Sequence, residues 1–240
     1  MEKNCVSHED EIKDDKKVSS NSNEETNSST VNYINRKDIK SRASKILENN
    51  LWNIFKPSLL LILISVLYTF LLTIFKVDIN DKFYVIYEFI YSLVVTPITV
   101  GICAYTLAII RKKPFSLKLV FSEYKNVVII VLTSILVFVF TFLWTLLLVV
   151  PGIIASLSYS LVYYLLADKD KGGTDTISKS KYMMKGYKGN YLLFNLSFIP
   201  WILLVIITFG IASIYVVPYM NVSQALYYEE LKKIKSIKID

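Results

Sequence analysis

Long apolar runs without charge alternate along this chain with short polar stretches crowded with lysine. Pro57 to Phe75 is the first run, and Phe83 to Ile110 the second, with Glu88 near its start as the only charge. Asn126 to Ala167 and Gly189 to Tyr228 carry no charged residue at all. A bilayer core of roughly 30 Å takes about 20 apolar residues per helix, so the first two runs cross once and the last two are each long enough to cross twice. Pro151-Gly152 and Phe209-Gly210 mark the places to turn, because Gly and Pro permit a tight reversal. The pattern predicts an all-α polytopic membrane protein with six transmembrane helices.

The polar stretches have a pattern of their own. Asp38 to Trp52, Ser116 to Lys125 and Thr174 to Lys188 read as basic amphipathic segments, and each precedes a pair of spans. In the second, Leu117, Val120, Phe121 and Tyr124 share one helical face while Lys118, Ser122 and Lys125 lie on another. In the third, Thr174 is placed to cap the helix, Ile177, Met184 and Tyr187 line the apolar side, and Lys181, Lys185 and Lys188 border it. The segments end alike, at Asn49-Asn50-Leu51-Trp52, Tyr124-Lys125-Asn126 and Tyr187-Lys188-Gly189-Asn190. Pro97 precedes Tyr105 by the same interval as Pro151 precedes Tyr159, and Pro218 has a similar place in the last span. The membrane region is therefore expected as three hairpin-like units with cytoplasmic amphipathic helices, a repeat that either shapes a transporter or records duplication of a packing unit.

Composition supports lipid as the solvent, with 53% hydrophobic residues and a mean hydropathy of +0.44. The net charge of +7 raises nucleic acid as a partner, but the positions of the cations exclude it, since they flank the spans. Of 27 Lys and Arg, ten precede the first span, five lie in Arg111 to Lys125, six in Lys169 to Lys188 and four after Tyr228. Only Lys76 and Lys82 fall on the other side, so the positive-inside rule places both termini in the cytoplasm and the protein in the cytoplasmic membrane. Residues 1–35, rich in Ser, Asn, Glu, Asp and Lys, are expected as a disordered cytoplasmic tail, and residues 36–240 as the six-helix integral membrane domain. The tail is too polar for a cleaved signal peptide, which leaves the first span as an uncleaved one. The only His, His8, and one of two cysteines, Cys5, lie in the tail, so no metal site, cofactor or disulfide framework is expected.

Candidate chemistry is sparse. Lys181, Lys185 and Lys188 can snorkel to phosphates, each worth about 1 kcal/mol against an anionic leaflet, and form a candidate lipid-headgroup site. Asn221 and Gln224 follow Pro218, whose ring frees a carbonyl that a side-chain amide can satisfy, and Asn195 faces them from the fifth span. With Tyr159, and hydroxyls from Thr96, Ser156 and Ser160, they make a candidate polar interior where the returning spans converge. Glu88 reads as an interfacial carboxylate, and the spans otherwise lack the charges that ion-coupled transporters keep at membrane depth. No zinc-ligand pair, Gly-x-Ser-x-Gly elbow, phosphate loop or paired carboxylates points to an enzyme. The expected partners are membrane lipids, with another membrane protein as a second possibility; the alternative function is a transporter or export component.

The stretch from Trp144 carries further motifs: Pro151-Gly152-Ile153-Ile154-Ala155, Tyr159-Ser160, Leu166-Ala167-Asp168, Ser180-Lys181 with Met184-Lys185-Gly186, Leu196 to Trp201, Pro218-Tyr219 and Tyr227-Tyr228-Glu229-Glu230-Leu231. In this combination the chain resembles an uncharacterised bacterial integral membrane family, domain of unknown function 975, best known from Gram-positive bacteria. The resemblance covers roughly residues 40 to 231 and is strong from Trp144 onward. Pro200 stands where the family has Gly, and Tyr227-Tyr228 where it has Phe-Tyr. The family is distantly similar to the membrane domain of some glycerophosphodiester phosphodiesterases, although no such catalytic domain is present in this sequence. What the resemblance implies is a multispanning location and no established activity. The abundance of Lys, Ile, Asn and Tyr fits an AT-rich bacterial genome.

Overall fold

The computed structural model describes residues 34–75, 83–170 and 172–237. Those residues are helical, in the order α1 (Arg36–Ile74), α2 (Tyr84–Ile110), α3 (Lys118–Phe121) continued by a 3-10 turn (Ser122–Asn126), α4 (Val127–Leu147), α5 (Val149–Tyr159), α6 (Val162–Ala167), α7 (Gly173–Met184), α8 (Lys188–Leu196), α9 (Ile199–Ile207) and α10 (Ser213–Ile237). The tail expected at residues 1–35 lies outside the described residues apart from Ile34, which is buried, and Asn35, whose side chain caps α1 by accepting from the amides of Lys37 and Asp38.

Among the described residues, five stretches are long and apolar enough to cross a membrane: Arg36–Ile74, Tyr84–Ile110, Lys118–Leu147, Val149–Ala167 and Lys188–Ile207. The chain is thus an all-helical, multi-pass membrane protein. The α10 helix is not among them, because its apolar half ends at Tyr228 and charged residues follow from Glu229.

The first two amphipathic segments pass into their spans through one residue, and the longer third junction ends on one, with similar backbone angles. Asn50 has φ −137° and ψ 18°, Asn126 φ −113° and ψ 23°, and Tyr187 φ −116° and ψ −2°. The polar segment can therefore lie at an angle to the apolar one that continues it. The second reversal comes at Leu148, which is extended, so Pro151 and Gly152 sit inside the first turn of α5 where proline costs little. Gly152 is needed there, since a Cβ would lie 2.3 Å from Thr145 Oγ1. The third reversal is at Phe209 and Gly210, both at positive φ, closed by the Gly210 amide on the Val205 carbonyl. The first reversal falls outside the described residues.

Burial divides the molecule into two ends. One, the basic end, holds α1 up to Ser58, α2 from Pro97, the start of α4, α6, α7 and α10 from Val216, and nearly all of the core. Tyr227 and Tyr228 are fully buried at its centre, Tyr228 stacked on Tyr164 and Tyr227 packed at a tilt against Tyr191 and Phe194. At the other, the loop end, no residue in 59–75, 83–96, 134–151 or 199–215 is buried, and the side chains are mostly large and apolar.

Several expectations need correction. The second amphipathic segment is an α-helix for only four residues before it tightens into a 3-10 turn, so its apolar residues do not share a face. Val120 turns inward onto Gly101, while Leu117 and Phe121 stay exposed. In the third segment the cap is not Thr174: the Gly173 amide donates to Thr133 Oγ1 of α4 at 2.7 Å, and the Gly172 amide to Thr176 Oγ1 at 3.0 Å. The α7 helix also stops at Met184, and Gly186 at φ 88° turns the chain before α8 begins. Lys181, Lys185 and Lys188 consequently do not border one continuous helix.

Candidate functional site at the basic end

The helices α2 and α6 finish in the same way. After the last helical turn Arg111 and Asp168 take equivalent C-terminal positions, and the next residue, Lys112 or Lys169, has positive φ. The Lys113 amide reaches the Ala108 carbonyl and the Asp170 amide the Leu165 carbonyl, both at 2.9 to 3.1 Å, which closes each helix with a Schellman bond. Two apolar runs that end on opposite charges are thereby brought side by side.

Arg111 binds Asp168 through two parallel bonds, Nη1 to Oδ1 at 2.6 Å and Nη2 to Oδ2 at 2.9 Å. Its Nε and Nη2 also donate to Glu229 Oε1 of α10, at 2.8 and 2.6 Å. Asp168 Oδ2 accepts in addition from the Tyr228 hydroxyl at 2.7 Å and the Lys232 ammonium at 2.6 Å. The side chains of Arg111, Asp168 and Glu229 are only 25%, 13% and 15% exposed, so this knot is shielded from solvent. Burial alone raises the Asp168 carboxyl, but the hydrogen bonds from Arg111, Lys232 and Tyr228 outweigh it and hold it down at about 2. Arg111 is held above its ordinary value, with Asp168 as the main cause. Chemically the knot is a fastener: the C-terminal ends of α2 and α6 cannot part from each other or from α10 without leaving charges unpaired.

Beside it lies a cleft of about 470 Å³ between α6, α7 and α10. Its floor is Leu165, Met183 and Tyr228, and its rim carries Lys169, Lys179, Lys232 and Lys235. Lys179 pairs with Asp170 at 2.9 Å, and Lys235 lies over the rings of Tyr182 and Tyr187. Among the described residues no group of three His, Cys, Asp or Glu is arranged to hold a metal.

The residues singled out by sequence are brought together only in part. Gln224 Nε2 faces Asn195 Oδ1 at 3.4 Å, as expected, and Asn195 Nδ2 also donates to the Tyr191 carbonyl. Asn221 turns the other way, to Ser58 Oγ of α1 at 3.4 Å. Tyr159 stands apart, its ring 6.5 Å from Phe140, and Ser156 and Ser160 bond carbonyls of their own helix. The returning helices do converge, but at Arg111, Asp168 and Glu229 rather than at these amides and hydroxyls. Lys181 and Lys185 are exposed and Lys188 half-buried, and none of the three lines the cleft. What sequence reasoning overlooked was that the first charge after an apolar run, Arg111 in one and Asp168 in another, is the group most tightly held.

No curated protein and no solved structure matches this chain. The motifs read from Trp144 onward coincide with a family match that covers residues 145–235 and supplies Asp168, Tyr228, Glu229 and Lys232, but not Arg111. Residues 145–235 match the family described as Protein of unknown function (DUF975).

Proposed function

We propose that this chain is a six-span protein of the cytoplasmic membrane, in three hairpin-like units with both termini cytoplasmic, that works without catalysis by engaging anionic lipid at its basic end. The apolar half of α10 serves as the sixth span, and the cation bias orients the basic end inward. One observation carries the lipid reading. The amphipathic residues of α1 and α7 turn Ile39, Ala43, Leu47, Ile177 and Met184 into the protein core, whereas the segment around α3 leaves Phe115, Leu117 and Phe121 39%, 48% and 49% exposed. Exposed Lys112, Lys113, Lys118 and Lys125 flank those apolar residues along the chain. Exposed apolar residues interspersed with cations suit the interface of an anionic leaflet, where each lysine contributes about 1 kcal/mol.

Phe121→Trp, read against the parent protein to subtract the native tryptophans, tests this in nanodiscs with brominated lipid. Quenching should be stronger with anionic than with zwitterionic brominated lipid, and Gln at the four lysines should erase the difference. Equal quenching in both lipids from the start would sink the reading.

A transporter is the second reading, favoured by the polar pair within the spans, where Gln224 Nε2 donates to Asn195 Oδ1 at 3.4 Å. It requires Gln224→Cys to react with a membrane-impermeant thiol reagent. Protection of that cysteine in intact cells and in inverted vesicles alike would remove it.

A further inference from the structure

We propose that the cleft between α6, α7 and α10 binds a phosphomonoester, a group that either a lipid headgroup or a small soluble phosphate can present. This goes beyond the contact of α3 with the leaflet and rests on different residues. Around the cleft and the knot behind it, Lys169, Lys179, Lys232, Lys235 and Arg111 face Asp168, Asp170 and Glu229. Five cations against three carboxylates leave two positive charges, which matches a phosphomonoester near its dianionic form better than a singly charged phosphodiester or carboxylate. Lysine ammonium groups on a rim suit such an anion because each is a compact point charge with three donors for phosphate oxygens. The floor of Leu165, Met183 and Tyr228 can receive the carbon skeleton attached to the phosphate, and the cleft is within the usual size of small-molecule sites. Asp168 and Asp170 keep Lys232 and Lys179 aligned when the site is empty, so little ordering is needed on binding.

The full chain in nanodiscs provides the test, with glycerol 3-phosphate as soluble probe and phosphatidic acid or phosphatidylglycerol as lipid probe. Calorimetry reads the first, and native mass spectrometry of retained lipid the second. Lys179→Gln with Lys235→Gln should weaken monoester binding by about tenfold or more, since two charge-assisted contacts are lost. Both side chains reach solvent, and Arg at the same two positions preserves charge, so that variant should bind within about threefold of the parent. Gln at Lys112 and Lys118 of the α3 region should leave binding unchanged.

Binding of both glycerol 3-phosphate and phosphatidic acid identifies the phosphate group itself as sufficient; retention of phosphatidic acid alone identifies a lipid headgroup. Either supports the site. Failure to bind either monoester, equal retention of phosphatidylglycerol, or equal loss in the Lys112 and Lys118 variant would overturn it. The last result would show leaflet electrostatics alone and leave the α3 reading standing.

Discussion

The basic end and the loop end are built from the same helices, yet they are held together by different physics. At the basic end α1, α2, α6, α7 and α10 bury a continuous aromatic and aliphatic core and fasten it with charge. At the loop end the same chain presents Leu63, Phe70, Val85, Phe138 and Ile207 outward. Lipid tails are as apolar as leucine, so within the bilayer there is little hydrophobic gain in packing these side chains on one another. What links α1 and α2 there is a stack of the Tyr68 and Tyr91 rings, with centroids 4.2 Å apart, and a few hydrogen bonds. The Tyr68 and Tyr84 hydroxyls donate to Glu88 at 3.0 and 2.9 Å, and Ser65 and Tyr91 share a hydrogen bond between α1 and α2. The contrast shows where specificity resides: at the basic end, where polar and aromatic groups can be satisfied only by one arrangement.

Removing the knot is the strongest way to break this contrast. Arg111→Ala leaves Asp168 and Glu229 shielded from solvent without their main partner, and should cost about 3 kcal/mol in reversible unfolding from mixed micelles. Gly101→Ala should follow at about 2 kcal/mol, because its Cβ would lie 2.0 Å from the Val120 carbonyl oxygen, a backbone atom that can yield only by moving α3 away from α2.

A gentler probe of the same end is pH. The folded Asp168 carboxyl sits at about 2, below the ordinary value of about 3.9, so its contribution is complete above that ordinary value and is lost as pH falls from about 4 through 2. The difference in stability between the parent and Asp168→Asn should therefore be constant from pH 5 upward and shrink below pH 4. A difference that stays constant down to pH 2 would mean that the carboxylate is not held by Arg111, Lys232 and Tyr228 in solution.

These features were unevenly legible in the sequence. The helices, their apolar spans and the junctions at Asn50, Asn126 and Tyr187 follow from local pattern, because a polar amphipathic stretch running into an uncharged one has few ways to fold. The pairing of Gln224 with Asn195 was also accessible, since few polar groups compete within the spans. The knot was not, because Arg111, Asp168 and Glu229 stand 57 and 61 positions apart along the chain and look like ordinary span-end charges until α2, α6 and α10 meet. The helical spacing from Lys181 to Lys188 breaks down for a local reason: α7 stops at Met184, and Gly186 turns the chain before Lys188. The apolar residues of the α7 segment, Ile177 and Met184, face the protein core, and periodicity alone cannot distinguish a lipid surface from such a core.

Gln224→Ala sharpens the comparison from its middle. Its bond to Asn195 lies where the core thins toward the loop end, and interhelical bonds of this kind average about 0.6 kcal/mol in membrane proteins. A loss of about 1 kcal/mol or less, measured as for Arg111, is expected, with Asn195→Ala no more than additive to it. A much larger loss would assign this pair a role in fastening α8 to α10 comparable to that of the knot.

The smallest effect should come from the loop end itself. Phe70 is exposed on α1, and Phe70→Ala exchanges a lipid contact for a slightly different lipid contact, so unfolding should shift by no more than about 0.5 kcal/mol. Phe194, fully buried between Tyr191, Phe198 and Tyr227, provides the matched control, for which Ala should cost about 3 kcal/mol or more. If the two substitutions cost the same, Phe70 must be packed against protein within the bilayer. Since the contacts within one chain do not cover it, that protein would be a second molecule, and the loop end would be an interface rather than a lipid-facing surface. Repeating the Phe70 measurement at several protein-to-lipid ratios decides between them, because only an interface makes its cost grow with protein concentration.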